Sequence, residues 1–137
     1  MSSFLTSLML PSSLLAFIGY FLIGLFLLLR NRKTKSNILF TLWVLSWAFR
    51  NLGLFLMAQA PSLDLAKAYS YIIYVPIAFL YILFFHFVIE FLGSSSKFDR
   101  SLLRWGYLSS FFFFLTIIFD LRFVKDPVLS SWGYSSV

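Results

Sequence analysis

Cysteine is absent from the 137 residues, which excludes a disulfide framework, a thiolate zinc cluster and a thiol nucleophile. Charge is scarce as well. Asp, Glu, Lys and Arg make up 12% of the chain, against roughly 25% in an ordinary soluble domain. So few charges cannot cover a water-facing surface, and a chain that is 61% hydrophobic needs lipid as its solvent. No glycine-rich phosphate loop occurs, no serine is paired with a base, and no two carboxylates lie close together. One histidine and five acids supply neither a metal ligand set nor an acid–base pair. The expectation is a chain without catalytic activity, cofactor or metal.

The net charge of +6 and pI of about 9.8 would fit nucleic-acid binding if the basic residues formed a patch. They sit instead in short gaps between apolar runs, where charges set membrane topology, so no nucleic-acid partner is expected. A secretory signal peptide is also unlike the N-terminus. Met1 to Leu29 has no charged side chain, and Arg30, Arg32, Lys33 and Lys35 follow it, the reverse of a signal peptide's order.

A bilayer core of about 30 Å takes about 20 apolar residues in a helix. Four segments meet that length: 8–29, 37–59, 65–92 and 102–123. Pro11 falls where a first helical turn tolerates it, Pro61 follows the second segment and Gly93 the third. The fold class is therefore an all-α polytopic membrane protein with four transmembrane helices, a single membrane domain over 1–137. The gap after the first span holds Arg30, Arg32, Lys33 and Lys35, and the gap after the third holds Lys97, Arg100 and Arg104. The gap between the second and third has only Asp64 and Lys67. By the excess of cytoplasmic Lys and Arg, the two basic gaps face the cytoplasm and both termini lie outside. The tail 124–137 is then exterior, with Trp132 and Tyr134 suited to the membrane interface.

Ionisable residues at membrane depth are costly and mark candidate sites. His86 and Glu90 are four apart on the third span and share a helical face with Val75, Phe79 and Ile82. They read either as a protonatable pair or as a structural contact, with Glu90 reaching headgroup water while His86 bonds a neighbouring helix. Arg50 and Asn51 fall in the outer half of the second span, and Trp43, Trp47, Arg50 and Leu54 form one stripe. Arg50 can stack on Trp47. At that depth it calls for a counter-ion: Asp120 near the outer end of the fourth span, or a bound anion. Tyr71, Tyr74, Ala78, Tyr81 and Phe85 form a further stripe on the third span, beside the backbone break expected at Pro76. These tyrosines either line a ligand pocket or pack between helices. The phenylalanine run 111–114 reads as lipid-facing or gap-filling.

One pattern reaches beyond composition. Trp47 is followed by an apolar run and Ala60-Pro61-Ser62. Tyr74 and Pro76 precede His86-Phe87-Val88-Ile89-Glu90-Phe91-Leu92-Gly93, and Trp132-Gly133-Tyr134 follows the fourth span. In this order and spacing the chain resembles the first four helices of the seven-helix sensor module at the N-terminus of many bacterial histidine kinases and diguanylate cyclases. The resemblance implies a sensory or signalling module of the bacterial cytoplasmic (inner) membrane. It would bind a small ligand or partner transmembrane helices and control a signalling effector. Where the family has seven spans and a cytoplasmic effector, this chain has four spans, no phosphoacceptor histidine and no kinase or cyclase domain. It is expected to be a truncated product, a split-gene half or a free-standing relative. The other reading is a subunit of a small oligomeric four-helix transporter or channel. An acid embedded in the first span would favour that reading, and the span has none.

Overall fold

The computed structural model describes residues 2–30, 34–93, 96–119, 128–130 and 133–135, with side chains over 10–30, 34–93 and 96–119. It contains four long helices: α1 (Ser2–Arg30), α2 (Lys35–Ala58), α3 (Leu63–Phe91) and α4 (Lys97–Ile118). All four are long and apolar enough to cross a membrane.

The helix ends follow local chemistry. Thr34 precedes α2 in extended backbone, and Gln59 closes that helix just before Pro61. Ser62 caps α3, its hydroxyl accepting from the amide of Leu65 at 3.4 Å. Gly93, with φ of 64°, ends it in a conformation that other residues resist. Ser96 caps α4 by accepting from the amide of Asp99 at 3.0 Å. That cap starts α4 five residues before the expected Leu102, so Lys97, Asp99, Arg100 and Arg104 lie on its first turns and not in a loop. α1 begins upstream of the expected Leu8. Pro11 therefore sits inside the helix, where the apolar span Leu10–Arg30 begins, and not in its first turn. α3 is one continuous helix across Pro76, whose missing amide deprives the Ile72 carbonyl of its helical donor.

Each helix packs on its neighbour in sequence: α1 on α2, α2 on α3, α3 on α4. No other pair of helices makes more than a glancing contact among the described residues. The four therefore form an open row and not a closed bundle. The α2–α3 seam holds the core, with Met57, Ala66 and Ile73 buried together. Toward the N-terminal end of α2, along that seam, Phe40 meets Phe87 and Trp43 meets Phe84, with ring centroids 5.0 and 5.1 Å apart. α1 and α4 leave most of their surface uncovered, as a lipid-facing helix does.

The tail, for which the sequence predicts no secondary structure, contains a short hairpin. Val128–Ser130 (β1) and Gly133–Ser135 (β2) pair antiparallel, with Leu129 opposite Tyr134, and β2 packs against α2. Trp132 lies outside the described residues.

Candidate functional site

Two polar groups stand out, on different helices. In the C-terminal half of α2 the Arg50 guanidinium lies over the Trp47 ring, 5.3 Å from its centroid. Trp47 in turn stacks on Tyr20 of α1, with centroids 6.4 Å apart and planes at 30°. Arg50 is eight residues from the end of α2, about 12 Å at 1.5 Å per residue. Among the described residues it meets no carboxylate; Asp120, the expected partner, lies outside them. Asn51 does not join Arg50, because its side-chain amide donates to the Trp47 carbonyl at 2.8 Å within the helix.

In the C-terminal half of α3, His86 is held from two directions. Its Nδ1 lies 2.8 Å from the Tyr107 hydroxyl of α4, and the two rings meet edge-on at 83°. Its Nε2 lies 3.7 Å from a Glu90 carboxylate oxygen one turn along α3. The stripe shared by Phe79, Ile82 and His86 is the face that α3 turns to α4. Phe79 meets Phe114, with ring centroids 5.7 Å apart, and Ile82 lies against Gly106. Tyr107 was not singled out from sequence. Its pairing depends on the register of α3 against α4, which a helical period within one span does not encode.

The tyrosine stripe divides. Ala78 is buried, whereas Tyr81 is 78% exposed and turned out of the row. Neither Tyr74 nor Tyr81 has a hydrogen bond among the described residues. An open cavity of about 260 Å³ does exist between the N-terminal end of α2 and the C-terminal end of α3. Thr34, Ser36 and Asn37 form its polar rim and Phe40, Phe87 and Phe91 its apolar wall. It lies ten or more residues from Arg50 along α2, about 15 Å. Among the described residues no three His, Asp or Glu side chains converge on a metal position.

Four long apolar helices with basic residues in the α1–α2 gap and on the first turns of α4, and a few polar side chains between helices, define an integral membrane protein. The family model for the N-terminal 7TM region of histidine kinase matches residues 12–131, and the chain belongs to that family. It is thus part of a membrane sensor region, a kind of module that is not itself the catalytic part of a kinase. No curated protein matches the chain, and no solved structure does.

Proposed function

We propose that the chain is a non-catalytic sensory module of the bacterial inner membrane, with both termini exterior, and that it works by packing against partner transmembrane helices. The observation that carries this reading is the open row, with Tyr81 on its uncovered face. Tyr81 lies close to the middle of α3, and its phenol is exposed there at 78% with no hydrogen-bond partner among the described residues. A hydroxyl in hydrocarbon without a partner costs several kcal/mol or less depending on the reference, in either case enough to favour a helix that supplies an acceptor. Phe84 and Phe85, exposed beside it, give such a helix an apolar surface.

The test is a photo-crosslinking amino acid placed at position 81 in the native membrane, with position 26 on the outward face of α1 as control. Adducts to a second polypeptide from position 81, and lipid adducts alone from position 26, are the expected result. Lipid adducts alone from both positions would refute the packing role.

A ligand-binding reading has its own support at Arg50. A guanidinium at membrane depth, stacked on Trp47 and meeting no carboxylate among the described residues, suits the anionic group of a small amphipathic ligand. The binding of a fluorescent medium-chain fatty acid against its methyl ester checks this. Selective binding of the acid should weaken by about tenfold or more in Arg50→Gln, the worth of a charge-assisted hydrogen bond. Equal binding of acid and ester would refute the assignment.

A further inference from the structure

His86 is the single histidine of the chain, and neither partner-helix packing nor a ligand at Arg50 uses it. It sits near the inner end of α3, five residues before Phe91, between a hydroxyl from α4 and a carboxylate from its own helix. The His86 and Glu90 side chains are 26% and 34% exposed, so the group is anchored between two helices without being sealed by them. From α4 the titratable group that faces the imidazole is Tyr107; from α3 it is Glu90. α4 also carries Lys97, Asp99, Arg100 and Arg104 on the turns that lead to Tyr107. α2 meets α3 along Phe84 and Phe87, and its own charged residues are Lys35 and Arg50. α1 packs on α2 and not on α3.

These positions determine where protons sit. A carboxylate facing Nε2 disfavours a lone pair there, so the neutral imidazole holds its hydrogen on Nε2. Nδ1 is then the acceptor, and the Tyr107 O–H donates to it. A proton taken up from the inner aqueous phase has one place to go, Nδ1. When it binds, the Tyr107 hydroxyl turns about its C–O bond and its oxygen becomes the acceptor of the new Nδ1–H. At the same time Nε2–H and Glu90 become a cation and an anion 3.7 Å apart. The group passes from one negative charge to none, and no other bond is made or broken.

We propose that Tyr107, His86 and Glu90 form a proton-binding site that joins α3 to α4 and gives the module a second input. The α3–α4 hydrogen bond persists in both states but reverses direction. With an ionised donor it is about twice as strong as between neutral groups, so proton uptake tightens the middle of α4 against α3. The effect has somewhere to act, because Ile117 is the one described residue of α4 that is fully buried.

The test uses the full chain in lipid nanodiscs. With one histidine, ¹⁵N NMR of imidazole-labelled protein reports His86 without assignment work. Over the pH range in which the protein stays folded, acidification should take the spectrum from the Nε2–H tautomer to a doubly protonated ring. Glu90→Gln should turn the neutral state into a mixture of both tautomers. For the mechanical half, spin labels are placed at Phe85→Cys and Leu108→Cys, which are unique because the chain has no cysteine. The distance distribution should narrow on acidification, and that response should be lost in Tyr107→Phe, a variant that keeps the ring and its packing. A ring that stays in one protonation state across this range would overturn the proposal, as would a neutral Nδ1–H tautomer. So would a distance response undiminished in Tyr107→Phe.

Discussion

Gly53 lies where α2 and α3 come closest, and adding one methyl group there tests how rigid that seam is. A Cβ at Gly53 would meet Ile73 Cγ1 at 2.7 Å, the Ile73 amide nitrogen at 3.0 Å and the Ile72 carbonyl carbon at 3.2 Å. Two of these three atoms are backbone, so no rotamer change clears them and the helices must move apart by a few tenths of an ångström. Gly19 of α1 is the control, because a Cβ there meets nothing within 4 Å. Both substitutions gain the same helix propensity, about 1 kcal/mol in water. Subtracting one from the other cancels that term together with its uncertain size in lipid. What remains is the overpacking cost at Gly53, about 1–3 kcal/mol. At 1.4 kcal/mol per tenfold, Gly53→Ala should shift the unfolding equilibrium by about tenfold or more relative to Gly19→Ala. Gly106→Ala should fall between them, because its Cβ runs into the Cδ1 end of Ile82, which can rotate aside. Steric-trapping unfolding in bicelles measures all three. If Gly53→Ala and Gly19→Ala agreed within about 0.5 kcal/mol, below the overpacking range, α2 and α3 would not be in rigid backbone contact there.

Three further outcomes are expected. Reporter fusions at the termini and at the 30–35 and 97–104 segments should place both basic segments in the cytoplasm and both termini outside; a cytoplasmic signal from a C-terminal fusion would refute the four-span topology. Arg50→Leu and Asp120→Asn should each lower folded yield, and the double change should recover part of it, since an unpaired guanidinium at depth costs about 2.5–3.5 kcal/mol on insertion scales. Strictly additive losses would assign the counter-ion of Arg50 to a ligand in place of Asp120. Purified chain in sealed liposomes should carry no proton or ion flux; a flux abolished by His86→Ala or Glu90→Gln would promote the transporter or channel reading.

Four apolar helices were legible in the sequence because lipid imposes one long apolar run per crossing, and the family resemblance lay in motifs that end those runs. The stacking of Arg50 on Trp47 was legible for a similar reason: residues three apart on a helix are neighbours whatever surrounds them. Features that join one helix to another were not legible. Tyr107 could be paired with His86 only by knowing how far α4 slides along α3, and the early start of α4 depends on the Ser96 cap. The open row was hidden for the same reason, since hydropathy counts crossings and is silent on which helices touch. The outward turn of Tyr81 while Ala78 is buried follows from that row, because α2 and α4 cover different sides of α3 and leave a flank between them.

The two seams of α3 are built differently, and the difference bears on how a signal could cross the module. Against α2, the contact at Gly53 falls on the Ile72–Ile73 peptide, the one whose carbonyl Pro76 leaves without a helical donor. Separating α2 from α3 would therefore open a close backbone contact as well as side-chain packing. Against α4, contact runs through side chains: Phe79 on Phe114, Ile82 over Gly106 and His86 on Tyr107. Side chains can change rotamer or hydrogen-bond direction without breaking either helix. Motion in this chain should therefore divide at the α3–α4 seam, with α2 and α3 moving as one piece and α4 as the element that answers to protons.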